Sequence, residues 1–447
     1  MDYRELAQDL LANAKNKGAT GVDLLIVEDE SFSVQVRMRG VETVKNSQGK
    51  RLGLRVCLDR RSATTSTSDF SPESVSQLLD EAMAMAAATA EDPCGGLPEP
   101  EALAADLPEL DLWDGEAGAL PVPDRIGLAT VAEAAALDAD PRIKNSEGAE
   151  FGNDEARVLL ANSHGFYGEY RRASVGLSVT PVASQDGQMQ RDSWYTVSRR
   201  LRELQGAEAV GREAARRALR RLGGRKVSTQ RVPVVFDPDI AAGLLRSLCG
   251  AVSGSAIYRD ASFLAGKLGE QIASPLLTVV DDGRMPGGLG SRPFDGEGVP
   301  TRRTVVIREG KLSSYLLDTY TGRKLGMAST GNASRALSQP PSVGPTNLSI
   351  LPGPHPPEEI IRSVPRGLYV TELIGFGVNL VTGDYSRGAV GLWIENGELA
   401  YPVDEITIAG NLKEMLRQIE MIGSDLEWRG TVASPTLKIA EMTVAGS

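Results

Sequence analysis

Between Thr371 and Glu398 the chain reads TELIGFGVNLVTGDYSRGAVGLWIENGE, and this stretch limits the fold more than any other. Six glycines fall between Gly375 and Gly397. Glycines this dense mark tight turns or backbone pressed against a neighbour. The Asn396-Gly397 pair, inside LWIENGELAYPV, is the strongest short signal for a β-hairpin. VVIREGKLSSYLL reads as a second hairpin, and most of the chain beyond residue 230 lacks helical periodicity. The C-terminal part therefore reads as a strand-rich domain with a barrel-like or multi-sheet body. The same stretch carries a polar group of Asn379, Thr382, Asp384, Ser386 and Arg387, which makes it a candidate site as well as a folding constraint.

At 447 residues the chain exceeds one ordinary core, so two or three domains are expected. Residues 2–17 read as a helix, followed by the strand-like runs VDLLIVED, FSVQVRMR and RLGLRVCLD. Ser71 and Pro72 form a cap and first-turn pair for a second helix. This makes residues 1–95 an N-terminal α+β domain with a mixed sheet. EDPCGGLPEPEALAADLPELDL is acidic and Pro-rich and reads as a linker. Residues 96–228 form a central strand-rich domain with flanking helices, and residues 229–447 form the C-terminal β-rich domain. The arginines of GAEAVGREAARRALRRLGG (Arg212, Arg216, Arg217, Arg220 and Arg221) read as a solvated helix side. NLKEMLRQIEMIG reads as a late helix with Leu412, Met415, Ile419 and Ile422 on one face. The fold class is α+β.

Composition removes several functions. A net charge of −11 and a pI near 5.0 oppose a nucleic-acid partner. No apolar run reaches the roughly 18 residues a spanning helix needs, so no membrane partner is expected. The acidic, amphipathic start MDYRELAQDLL is unlike a secretory signal. Cys57, Cys94 and Cys249 are odd in number and far apart, which suits a reducing, cytoplasmic location. His164 and His355 are the chain's two histidines and read as turn and loop residues, leaving little for a transition metal. Phosphate-loop, dinucleotide and nucleophile-elbow patterns each fail at a required position: Leu268 in SFLAGKLG, Leu380 in GFGVNL, and the spacing of GDYSRG. Asp281, Asp282, Asp295 and Glu297 remain as candidate acid/base or cation-binding carboxylates, with turn formation as the plainer reading.

Taken together, SFLAGKLGEQIAS, PFDGEGVPTRRTVVIREGKLSSYLLDTYTGRKLG, STGNASR, the glycine-rich stretch and EITIAGNLKEML resemble the TldD/PmbA family, on its PmbA (TldE) branch. The resemblance is dense from about residue 230 to the end and colinear elsewhere. It implies a cytosolic, heterodimeric zinc metallopeptidase that degrades or trims peptides. The zinc would sit in a TldD-like partner, on a HExxxH helix with a further cysteine ligand near its C-terminus. Where the family helix reads LLHEAxGH, this chain reads GLLRSLCGAV. Arg246, Ser247 and Ala251 stand at the first His, the Glu and the second His, and no cysteine follows Cys249.

These substitutions lead to a subunit with no catalytic residues and no metal or other cofactor of its own. It would pair with a TldD-like subunit and help enclose peptide substrates, while a homodimer is left open. Thr330, Asn332, Asn379, Asp384, Ser386 and Arg387 are the candidate substrate- or partner-binding residues, with a self-bonded turn as the alternative for the glycine-rich loop. Two other functions stay in view. One is a non-enzymatic regulatory module, following the family's label as a modulator of DNA gyrase. The other is an independent peptidase built on Asp281, Asp295 or Glu297.

Overall fold

The computed structural model describes residues 2–446. Its architecture is α+β, with a curled half-barrel sheet followed by a closed five-strand barrel. Among the described residues, seven strands build the first sheet, ordered Arg61–Thr67, Gly40–Leu58, Gly21–Arg37, Ile143–Asn162, Tyr167–Gln185, then Gln188–Arg191 and Trp194–Ser198 against the last. The central pair runs from Asp23 opposite Asn162 to Val36 opposite Ala149. One sheet thus crosses the boundary expected near residue 95.

Period-2 alternation explains how the strand Gly21–Arg37 serves two helix layers. Val22, Leu24 and Ile26 pack under the helices Tyr3–Asn16 and Pro72–Ala88. Phe32, Val34 and Val36 pack under Val122–Leu137 and Ala207–Leu219. Glu28 and Glu30 lie exposed between the two layers. On the opposite face, Leu25, Val158 and Leu160 meet Phe166 and Phe294, the last from the C-terminal body.

The barrel strands are Gln230–Phe236, Arg366–Ile374, Asp384–Glu395, Glu398–Asn411 and Leu437–Ala445. Leu437–Ala445 returns to pair with Gln230–Phe236, and Thr407–Ala409 opposite Thr443–Ala445 closes the ring. Register shifts at Val370/Glu372, Ala389/Gly391 and Ile439/Met442 give the bends that closure requires. Asn396 (φ 53) and Gly397 (φ 79) form the expected tight turn, and Glu309 (φ 49) with Gly310 (φ 79) form the other. A second sheet, ordered Lys311–Leu312, Arg303–Arg308, Val279–Asp282, Leu348–Ile350 and Val432–Ala433, lies beside the barrel.

Three expectations are corrected. The first sheet is antiparallel throughout, and the parallel pairs lie in the C-terminal sheets instead. The late helix stops at Arg417, because β-branched Ile419 and Ile422 continue as a strand opposite Ile439 and Leu437. The arginine-rich helix is solvated at Arg212 and Arg216, which pair with Glu208 and Glu213. Arg217 instead turns inward, reaches Asp237 at 3.6 Å and lies over the Trp194 ring. The linker is irregular as read, yet it is fastened: Arg323 donates to the carbonyls of Gly95 and Leu97, and Ala104 N–H donates to Gly298.

Candidate active-site remnant in an interdomain cleft

The helix Pro238–Val252 follows directly on the strand Gln230–Phe236, and three side chains fix where it starts. The Asp237 carboxylate accepts from Asp239 N–H at 3.3 Å, with Pro238 in the first turn. The Tyr369 hydroxyl donates to Asp237 at 3.0 Å, and Arg217 adds its charge. Leu244, Leu245, Leu248, Ala251 and Val252 are buried, while Arg246 is exposed. That face meets the strand Trp194–Ser198 of the first sheet and the segment around Glu427–Ser434.

The result is a narrow cleft between the two halves of the molecule, lined by Tyr195, Asp239, Arg246, Glu427, Arg429 and Ser434 among others. Arg429 organises it. Its guanidinium lies 3.3 Å from both oxygens of Asp239, pairs with Glu427, and stacks 3.9 Å over the Trp194 ring. Burial pushes the Asp239 carboxyl up, against the pull of the Arg429 charge. Through Glu427 and Arg429 the cleft continues into a cavity of about 320 Å³, lined by Thr196–Ser198 and Gly287–Leu289. Tyr195, Asp239, Glu427 and Arg429 were not found from the sequence. SWYTVS and EWRG carry aromatic and charged residues side by side, but nothing in either run says that the other is its neighbour.

None of the six predicted binding residues lines this cleft, and their two groups lie apart from it in different ways. The glycine-rich loop reaches the helix through Leu380, whose side chain lies 3.0 Å from where a Cβ at Gly250 would stand. Gly250 is one turn beyond Arg246 on the same face. Within the loop, Asn379 Oδ1 accepts from the Val381 and Thr382 N–H groups, and the Thr382 hydroxyl donates to Asp384 at 2.6 Å. Asn411 donates to Asp384, and these bonds hold that carboxyl below its usual range. Arg387 donates to the Ile374 carbonyl at 3.4 Å, and Ser386 is exposed. Thr330 and Asn332 bond each other at 2.7 Å, but Asn332 is buried and gives its amide to Asp281. They brace the interior.

Of the other candidate carboxylates, Asp282 is part-exposed and pairs with Arg303 at 3.8 Å, and the remaining three are enclosed. Asp281 accepts from Thr346 N–H, the Thr346 hydroxyl and Asn332. Asp295 accepts from three backbone N–H groups, of Glu297, Val299 and Ala333, and Glu297 accepts from Thr319 N–H. All three carboxylates are at most 2% exposed, so no water reaches them in the manner of a catalytic base. His164 Nδ1 bonds the Pro98 carbonyl in a turn, and His355 pairs with Glu359.

The chain was compared with known proteins. Models of the PmbA/TldA metallopeptidase match in three consecutive parts: domain 1 over residues 22–86, the central domain over 115–222 and the C-terminal domain over 229–446. Metalloprotease PmbA of Escherichia coli O157:H7 is 40% identical over 436 residues, covering 98% of this chain and 94% of the relative. The chain belongs to the PmbA/TldD metallopeptidase family. A solved structure described as a modulator of DNA gyrase, from Bacteroides thetaiotaomicron VPI-5482, superposes with a TM-score of 0.93 at 28% identity, over the whole of both chains. TldE of Thermococcus kodakarensis shares the fold, with a TM-score of 0.89 at 24% identity over 98% of this chain and 99% of that one.

Membership in a PmbA/TldD metallopeptidase family raises the question of zinc, and the donor set does not fit it. A zinc centre needs three or four N, S or O donors converging on one point. Arg246 brings a cation, Ala251 brings no donor, and the Ser247 hydroxyl lies 3.4 Å from the Gly243 carbonyl of its own helix. The neighbouring carboxylates, Asp239 and Glu427, are engaged by Arg429. Burial pushes the Cys249 thiol up to about 12, so it stays protonated and unreactive. Among the described residues no group of three or more His, Cys, Asp or Glu is placed to hold a metal ion. No described helix is long and apolar enough to cross a membrane.

Proposed function

We propose that this chain is the non-catalytic, PmbA/TldE-type subunit of a two-chain zinc peptidase. In this reading a TldD-like partner supplies the zinc and the general base, and the present chain helps shape the compartment that holds the peptide. Zinc would polarise the scissile carbonyl in the partner, and the residues here would bind, orient and enclose. The observation carrying the proposal is the helix Pro238–Val252. It follows directly on a strand and is capped at Asp237, and the family resemblance puts Arg246, Ser247 and Ala251 at the positions of the zinc ligands and base. The loop packed at Gly250, with exposed Asn379, Asp384 and Ser386, is read as part of the compartment wall. Assembly with the partner in the cytoplasm belongs to the same proposal.

The test uses the purified chain alone and mixed with a TldD-like protein. Zinc content and hydrolysis of a peptide library are measured in both. The expected result is no stoichiometric zinc and no cleavage alone, with cleavage in the mixture that a chelator abolishes. Stoichiometric zinc or chelator-resistant cleavage by the chain alone would overturn it. A stable complex that cleaves nothing would favour the regulatory module.

A further inference from the structure

Arg246 differs from its neighbours in the interdomain cleft. Arg429 is engaged by Asp239, Glu427 and the Trp194 ring. Arg217 is engaged by Asp192 and Asp237. Arg246 has no hydrogen bond, ion pair or ring contact among the described residues, although two carboxylates line the same cleft. Arg429 occupies both of them, so the charge of Arg246 is left for something outside the chain. Tyr195 lines the same cleft, and its hydroxyl makes no hydrogen bond among the described residues. Burial and Asp239 push that phenol up, while Arg429 and Arg246 pull it down, which places all four groups in one electrostatic neighbourhood.

Size narrows the ligand. The cleft at Arg246 offers about 50 Å³, room for a small planar group such as a carboxylate and little more. The adjoining cavity of about 320 Å³ accepts one or two side chains and runs beside Thr196–Ser198. A guanidinium fork matches a carboxylate in a bidentate way, and a phenol hydroxyl donates to the same anion. We infer that Arg246, with Tyr195, receives the free α-carboxylate of a peptide, whose last residues extend into the adjoining cavity. This inference rests on the peptide-handling function proposed above, and it gives that function a preference for peptides with a free C-terminus.

Three fluorescent peptides of one sequence distinguish the sources of the charge: a free acid, a C-terminal amide, and an amide with one added internal Glu. Their binding to the chain is read by fluorescence polarisation, and their KM by cleavage in the mixture with a TldD-like partner. Charge-assisted bonds of this kind predict a preference for the free acid of about tenfold or more, in Kd or in KM. Arg246→Ala is expected to erase the preference and Arg246→Lys to keep part of it. Because Arg246 is exposed and unpaired, both variants should melt with the parent. Equal binding of acid and amide, or a preference surviving Arg246→Ala, overturns the inference while cleavage in the mixture leaves the subunit function standing. The internal Glu peptide matching the free acid overturns the α-carboxylate assignment. No binding and no cleavage of any peptide overturns both.

Discussion

Asp295 shows how a single buried carboxyl makes the stability of this chain depend on pH. Burial, with the neighbouring Glu297 charge, pushes its pKa up to about 7, although three backbone N–H groups pull the other way. A carboxyl raised in the folded state binds more protons there than in the unfolded chain, where its pKa is about 3.9. Its contribution to stability is therefore largest at low pH and falls as pH rises from about 4 to about 7. Asp23 acts in the opposite sense: burial works against its charge, but Arg335 and Arg55 hold it low, so its effect changes below that window. Asp295→Asn is expected to be less stable than the parent, since it loses the bond from Ala333 N–H. Its stability should change less between pH 5 and pH 7.5 in denaturant titrations. An unchanged slope would show that Asp295 is ionised throughout. At this scale the sequence said little. It marked Asp295 and Glu297 as carboxylates beside glycines, but their enclosure comes from Ala333 and Thr319, which the linear order does not place near them.

The glycine-rich element can be judged by what its glycines permit. A Cβ at Gly377 would lie 1.6 Å from the Ser386 carbonyl oxygen, so the two loop limbs touch backbone to backbone. Ser386 N–H donates to the Gly377 carbonyl at 2.7 Å, and Asn379 N–H to that of Asp384 at 2.9 Å. Gly377→Ala must force these limbs apart and is expected to cost about 2–4 kcal/mol by denaturant unfolding. Ser386 N–H should exchange with solvent much faster, while the barrel amides of Gln230–Phe236 keep their protection. Retained protection at Ser386 would show that the limbs can separate without loss. Elements like this are the legible part of the chain. Asn396-Gly397, Ser71-Pro72 and Asp237-Pro238 each encode their structure within a few residues, and each is found as read. The segment Ile419–Ile422 was misread for the complementary reason. Its helical spacing is genuine, but its partner strand lies elsewhere in the chain, and β-branched side chains favour that pairing.

For the whole molecule, the seam between the half-barrel sheet and the C-terminal body depends on buried charge. Asp23 lies 2.9 Å from Arg55 Nε and 2.5 Å from an Arg335 guanidinium nitrogen, and Arg55 lies 3.6 Å from Glu297. Asp23 and Arg55 come from the sheet, Glu297 and Arg335 from the body. Removing one member of such a buried group costs about 3–5 kcal/mol, because the remaining charges stay dehydrated. Asp23→Ala is expected to lose that much and to unfold in two calorimetric steps, the two halves no longer melting together. A single transition with less than about 1 kcal/mol lost would show that apolar contacts such as Leu25 with Phe294 hold the seam by themselves. The cleft at Arg246 was hidden from the sequence at this same scale. Its walls, Tyr195, Arg246 and Arg429, belong to three separate segments, and Tyr195 reaches the other two only when the halves dock.

The barrel strand Gln230–Phe236 takes one neighbour from Leu437–Ala445, about 200 residues later in the chain. On a ribosome adding roughly 5–20 residues per second, that edge stays open for tens of seconds or less after its own synthesis. Its partner appears only after all the intervening residues have been made. Loss of the strand Leu437–Ala445 would therefore act during synthesis, leaving an unpaired, apolar edge with Val232, Val234 and Phe236 beside it, exposed to other nascent chains. Termination of synthesis before Leu437 should yield aggregates in place of a shortened soluble chain, read by pelleting of the truncated product.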